Sequence, residues 1–435
     1  MQLQPNLGII AKVCAMEVFK FGGASVRNAE GVRNLAKIIN RQDNKNLLIV
    51  VSAMGKTTNC LELLIDSATD RDKRQRYLDQ FTSFHHAIID DLFEHPDSLE
   101  KELTGIKSEL EIILDLEMSS MQRYDEVVSK GELISTRIIY KYLADAGISV
   151  KWIDARKYII TDDHHMAAHV HWGESERRIR ILEGDLNDGI ILTQGFIGGT
   201  QEGMTTTLGR EGSDYSAAIF ATCLNASAVT VWKDVNGIMN GDPKRIPDTV
   251  KYDELPYTEA AEMTYYGASV IHPKTIKPLA NLRIPLYVKS FFTPEDKGTI
   301  IHECSVQNLV PAVIIKDNQC LVSFHVRDFT FINERNVSLI FHELSEADLK
   351  INLMQNSAIS LSIIMDYHPA DLEHIIRRLK PHFSIKYNTS LELLTIKNYN
   401  EPFKQKYREG REILLEQISR NNYRAVMTPV QGHAD

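Results

Sequence analysis

Cysteine is scarce in this chain. Its 435 residues hold five, Cys14, Cys60, Cys223, Cys304 and Cys320, and no Cys-x-x-Cys pair. An odd, widely spaced set excludes a disulfide framework and a cysteine-only zinc site, and it fits a reducing cytoplasm. No apolar run approaches the roughly 18–20 residues that span a bilayer, so no membrane partner is expected. Basic charge is not in excess: Lys+Arg 49 against Asp+Glu 58 leaves −9, which argues against a nucleic-acid binder. The opening segment, MQLQPNLGIIAKVCAME, has no basic start, and Lys12 interrupts its short apolar stretch, so it does not read as a secretion signal. Residues 1–15 read instead as a loose extension ahead of Met16. Low-complexity tracts and fixed-period repeats are absent. With 43% apolar and 25% charged residues, the composition is that of an ordinary globular protein. At roughly 150 residues per domain, about three domains are expected.

The pattern of elements is alternating. EVFKF, NLLIVVSA, Ile148–Ile153, Gly189–Thr193, Ala228–Trp232 and Ile284–Lys289 read as strands, and helical patterns lie between the later ones. Residues 71–145 are mostly helical, with Leu99, Leu103, Ile106, Leu110 and Ile113 on one stripe. This predicts an α/β domain with a largely parallel sheet. After about Cys304, short strands (Cys320–Val326, Ala358–Ile364, Leu391–Ile396) alternate with shorter helices (Val337–Leu344, Pro369–Leu379), which predicts one or two small α+β modules. The boundary is placed near residues 294–310.

Five segments carry chemistry. K-F-G-G-A-S, Lys20–Ser25, joins a strand to a helix. Its glycines allow close backbone approach, the helix start favours an anion, and Lys20 adds a full charge. S-A-M-G-K-T-T-N, Ser52–Asn59, contains Gly-Lys-Thr but has Val50 where a P-loop needs glycine, so it is an anion-binding turn of another kind, with Ser52 and Thr58 as hydroxyl donors. S-K-G-E-L-I-S-T-R, Ser129–Arg137, is read as opening a helix, where Glu132 alone would only compensate the dipole. Gly195–Ala218 is a long polar, glycine-rich loop without structure of its own, holding Arg210, Ser213 as a natural N-cap, and Asp214. An arginine fork suits a carboxylate or phosphate. V-W-K-D-V-N-G-I-M-N-G-D-P-K, Val231–Lys244, runs from a strand into a turn. The histidines of DDHHMAAHVH (164, 165, 169 and 171) have no metal-ligand spacing and read as a solvated loop, and His85 and His86 read as structural.

Taken in order, these segments resemble the aspartate kinases, the aspartokinase branch of the amino-acid-kinase family. Y-G-A-S-V-I-H-P within Glu259–Leu279 adds to the likeness, which covers about residues 16–300. The resemblance implies an amino-acid-kinase domain over 16–300 and a regulatory region over 305–435 similar to paired ACT modules. It implies transfer of the ATP γ-phosphate to the β-carboxylate of L-aspartate, with Mg²⁺ held mainly through the phosphates, and a cytoplasmic homodimer joined through the ACT modules. It assigns Lys20 and Asp214 to catalysis. Ser52, Thr58, Glu132, Phe196, Arg210 and Ser213 fall to aspartate. Lys20, Gly22, Gly23, Ser25, Lys233, Asp234, Met239, Lys244 and Ser269 fall to ATP. The alternatives are a kinase for another amino acid and a non-catalytic amino-acid sensor on the same fold.

The chain departs from the family pattern at several points. Ala24 replaces the threonine of K-F-G-G-T-S, Glu211 a glycine, Lys233 a small hydroxyl residue, and Ser269 a nucleotide-side lysine whose charge Lys233 is expected to supply. In the family, lysine binds an ACT site whose strand carries an acidic residue. Asn352 stands at that position in K-I-N-L-M-Q-N-S, so weak or absent lysine inhibition is expected.

Overall fold

The computed structural model describes residues 16–41, 46–268, 271–306, 309–327 and 330–429. The proposed extension, residues 1–15, and Ser269 lie outside them. The chain divides into two compact units. The first comprises residues up to Ile238, Lys251–Ala261 and Val270–Val306, and the second Met239–Val250, Glu262–Ser269 and the chain from Gln307 onward.

The first unit begins β1 (Glu17–Phe21), α1 (Ala29–Asn40), β2 (Leu47–Val51), α2 (Thr57–Asp66). Long helices follow: α3 (Arg71–Leu92), α4 (Asp97–Asp115) and α5 (Ser120–Asp145). Then come β3 (Val150–Trp152), α6 (Trp172–Ile179), α7 (Glu183–Asp188), β4 (Ile190–Gln194), β5 (Ile197–Gly199), β6 (Thr205–Thr207), α8 (Gly212–Cys223) and β7 (Ala228–Lys233). β8 (Glu254–Pro256), α9 (Tyr257–Tyr266, which passes to the second unit after Ala261), α10 (Pro273–Asn281), β9 (Leu286–Ser290) and β10 (Thr299–His302) follow.

Among the described residues, eight strands form one sheet in the order β3-β4-β2-β1-β7-β9-β10-β8. Every pairing is parallel except β9 with β10. The apolar runs explain this. All five residues of β2 and of β4 are buried, as a strand covered on both faces requires. Parallel order puts the carboxyl ends of β4, β2, β1 and β7 side by side at one sheet edge, where open α/β sheets bind ligands. Four of the five chemistry-bearing segments begin there. The predicted structureless loop after β4 is corrected: β5 and β6 pair as an antiparallel ribbon, because Thr205–Thr207 is a β-branched run facing Ile197–Gly199.

The second unit carries β11 (Ala312–Val326), α11 (Glu334–Glu346), β12 (Leu353–Asn356), β13 (Ser360–Asp366), α12 (Pro369–Leu379), β14 (Phe383–Lys397), α13 (Glu401–Arg408), β15 (Ile413–Ile418) and β16 (Asn422–Met427). Its six strands form an antiparallel sheet, β12-β13-β11-β14-β16-β15. The sequence boundary near 300 does not capture residues 239–250 or 262–269. The first of these stretches joins the second unit because Ile246 packs with Val313, Leu394, Ile396 and Tyr423. Arg245 also pairs with Asp317 at 2.7 Å and Glu392 at 2.8 Å.

Candidate active site

The two turns that follow β1 and β2 are packed backbone on backbone. A Cβ on Gly23 would lie 2.5 Å from the Ala53 carbonyl oxygen and 3.1 Å from that of Gly55. The Gly55 N–H donates to the Gly23 carbonyl at 3.0 Å, and the Ser52 N–H to that of Phe21 at 3.1 Å. Only glycine admits this approach. Gly22 lies beside the Lys20 ammonium, and Ser25 is buried with its hydroxyl directed at the Trp232 carbonyl, 3.4 Å away. In the second turn Thr57, not Thr58, is held internally, donating to Met54 O at 2.6 Å. Ser52 and Thr58 stay half-buried.

α5 supplies Glu132. The sequence placed this residue in a first helical turn, and the structure corrects that. The helix starts at Ser120, where the Ser119 hydroxyl accepts from the Gln122 N–H at 3.1 Å, so Glu132 sits mid-helix. A dipole-compensating role is thereby removed, since that effect fades within one turn. Gly131 lets α5 close on α2: a Cβ there would sit 3.0 Å from Thr57 Cγ2 and 3.1 Å from Ala53 Cβ. Ser135, one turn on, donates to the Ser52 carbonyl at 2.7 Å. Glu132 is 2% exposed, and its Oε1 accepts from the Ala53 N–H at 3.2 Å. Its Oε2 is buried with no hydrogen-bond partner among the described residues. Burial pushes this carboxyl up to about 8, only partly opposed by the Ala53 N–H. Sequence reasoning missed Gly131 and Ser135; the signal was their spacing about Glu132, one residue before and three after.

α8 supplies the rest. Its cap is Glu211, in left-handed conformation at φ 54°, and Ser213 lies inside the first turn, so the predicted Ser213 N-cap is corrected. Close packing fixes the earlier start: Gly212 and Gly195 have room for no side chain, a Cβ on either meeting Phe196 at 2.8 Å or Ser213 at 2.6 Å. Phe196 is half-buried at φ 70°, its N–H donating to Ser216 Oγ at 2.9 Å. Asp214, 2% exposed, lies in the first turn of α8. Lys20 Nζ is 2.6 Å from its Oδ1, and Lys233 Nζ 3.3 Å from its Oδ2. Burial alone would raise the Asp214 carboxyl; the two ammonium groups, Lys20 foremost, outweigh it and hold the carboxyl below its ordinary value. Arg210 is exposed at the turn before α8. Asp234 is exposed just after β7.

The structure thus gathers Lys20, Gly22, Gly23, Ser25, Ser52, Thr58, Glu132, Phe196, Arg210, Ser213, Asp214, Lys233 and Asp234 in the first unit. Met239 and Lys244 belong to the second. The histidine loop is less solvated than expected. His165 Nδ1 lies 2.7 Å from Oδ2 of the buried Asp125, which also accepts from the Thr207 hydroxyl at 2.6 Å.

A buried lysine–aspartate pair with a second, half-buried lysine, beside a glycine turn and with a buried carboxyl at the neighbouring turn, suits a small substrate bearing both charge signs and an anionic co-substrate. The sequence pattern of the amino acid kinase family matches residues 16–290. The chain belongs to that family. Within it, lysine-sensitive aspartokinase 3 of Escherichia coli K12 is 32% identical over 361 residues, which are 80% of this chain and 78% of that protein. The likeness places the chain among the aspartokinases. Its structure superposes on E. coli aspartokinase III in complex with aspartate and ADP with a TM-score of 0.83 and 28% identity, over 95% of this chain and 96% of the other. The chloroplastic bifunctional aspartokinase/homoserine dehydrogenase 2 of Arabidopsis thaliana is 34% identical over 298 residues, 65% of this chain but 32% of that protein. Among the described residues, no helix is long and apolar enough to cross a membrane.

Proposed function

We propose that the chain is an aspartate kinase, transferring the γ-phosphate of ATP to the β-carboxylate of L-aspartate. The observation that carries this reading is Glu132, whose Oε2 is buried and unpartnered beside the β2 turn. An α-ammonium supplies the missing partner, and the exposed Arg210 supplies a fork for the α-carboxylate. The β-carboxylate is then directed toward the turn of Gly22 and Gly23.

The nucleophile needs no base, being ionised at neutral pH. The obstacle is charge: two like charges 4 Å apart cost about 4 kcal/mol at an effective dielectric near 20. Lys20 offsets this at the transferring group. Asp214 holds Lys20 and Lys233 in place while itself staying ionised. Mg²⁺ would arrive on the nucleotide phosphates, since the buried Asp214 carboxylate is already engaged by two lysines. Lys233 and Asp234, both in the first unit, are assigned to the nucleotide. The chain from 305 onward acts as a regulatory, dimer-forming region, and the compartment is cytoplasmic. Release of ADP dependent on L-aspartate, with acyl phosphate trapped as the hydroxamate, tests the reading. Turnover with glutamate or N-acetylglutamate but not aspartate overturns it.

A further inference from the structure

The outer end of the first unit's sheet carries a second group of chemically active side chains. β8 and β10 pair in parallel, with Glu254 beside Ile300 and His302 beside Pro256. Leu255 and Ile301, 1% and 0% exposed, point into the core. Strand alternation therefore turns Glu254 and His302 to the opposite, outer face, and Cys304 follows His302 by two residues. Glu254 Oε2 and His302 Nε2 are 3.0 Å apart. A carboxylate oxygen, an imidazole nitrogen and the Cys304 sulfur all lie within 4.8 Å of one another. Among the described residues no other group of three such ligands converges in this way, the histidine-rich loop included.

We propose that Glu254, His302 and Cys304 bind one divalent zinc ion. The donor set mixes a thiolate, an imidazole and a carboxylate, which matches zinc's borderline character and excludes magnesium or calcium, ions that require oxygen ligands. Zinc–nitrogen and zinc–oxygen bonds of about 2.0–2.2 Å and a zinc–sulfur bond of about 2.3 Å put neighbouring ligands roughly 3.3–3.8 Å apart. The present spacing brackets that range, so side-chain rotation is enough to exchange one hydrogen bond for three coordinate bonds. Water completes the tetrahedron on the open face, since Glu254 and His302 side chains are 49% and 31% exposed. The ion would fasten edge strand β8 to β10 just before the chain enters the second unit at residue 307.

The test uses the full chain, freed of metal by chelation and kept reduced with a phosphine. Zn²⁺ alone is titrated by calorimetry, and Cys304 alkylation is followed by peptide mass spectrometry. The expected result is one zinc per chain, with Cys304 protected from alkylation. Cys304→Ser and His302→Ala should each weaken binding by at least about tenfold, since loss of even an outer hydrogen-bond partner costs 10–100-fold at such sites. Absence of binding up to millimolar zinc overturns the proposal. So does undiminished binding in both variants, which would put the ion on other surface histidines. If a variant fails to fold, the alkylation of wild-type Cys304 decides: a rate unchanged by zinc refutes the site.

Discussion

Replacing Glu132 by glutamine separates what this carboxyl does for the fold from what it does for the substrate. The change keeps the shape and the acceptor that Ala53 N–H uses, and puts an amide that cannot ionise where the unpartnered Oε2 stood. A carboxyl ordinarily near 4.5 is held here at about 8 because it is buried with one oxygen unpaired. The sign follows directly. Between those values the folded chain keeps a proton that the unfolded chain releases, so stability falls as pH rises through the window. At about 1.4 kcal/mol per pH unit, the penalty is on the order of 3 kcal/mol at pH 7 and 5 kcal/mol at pH 9. Full burial means no discount for solvent screening. Without ligand, Glu132→Gln should therefore melt higher than wild type, with a gap that widens from pH 7 to pH 9. With aspartate the order reverses: the ammonium pairs with the ionised Glu132, so saturating aspartate should raise the wild-type melting temperature and leave the variant almost unmoved. The kcat/KM for aspartate should fall by about 30-fold to several thousand-fold, the equivalent of losing a buried charge partner worth roughly 2–5 kcal/mol. Denaturant titrations at several pH values, with and without aspartate, measure all of this. A variant less stable than wild type at every pH, or one with unchanged aspartate kinetics, refutes the reasoning.

Three further outcomes follow from the same geometry. Arg210→Ala should reduce kcat/KM for aspartate strongly and leave the ATP KM nearly unchanged; because Arg210 is exposed, its stability should stay within about 0.5 kcal/mol of wild type, and a large drop in melting temperature would show a structural role instead. Lys20→Ala should abolish turnover while calorimetry still detects aspartate, and it should lower stability by less than the roughly 3–5 kcal/mol of an orphaned buried charge, because Lys233 still faces Asp214; residual turnover near wild type would sink the role given to Lys20. Lysine titrated against activity should inhibit weakly or not at all, since Asn352 already accepts from Lys316 at 3.0 Å and donates to Gln319 at 2.8 Å and Asp366 at 3.0 Å, and half-inhibition at micromolar lysine would contradict this.

Much of the site was legible because it is built from local signals. A glycine pair after a strand, a lysine at the strand end and an acidic residue opening a helix can each be read within a few residues. What stayed hidden depends on tertiary packing. Glu132 looked like a first-turn carboxylate because Ser129–Arg137 was read as opening a helix, yet the cap is Ser119, ten residues before Ser129. Ser213 looked like a cap for the same reason, and the close packing of Gly195 and Gly212 moved the helix start forward. Lys233 was read as a nucleotide contact; its pairing with Asp214 depends on β7 lying next to β1, which no local pattern states. The two stretches that join the second unit were invisible for a further reason: Ile246 is an ordinary apolar residue whose partners lie more than sixty positions away.

The contact between Gly23 and Ala53 also bears on how such a site changes over generations. Each turn is the mould for the other, main chain against main chain, so neither can lengthen, shorten or gain a side chain alone. A transplanted phosphate turn would need its matching partner from the same donor. New substrate preference is therefore open to substitutions at projecting groups such as Arg210, whereas the pair of turns is inherited as one piece.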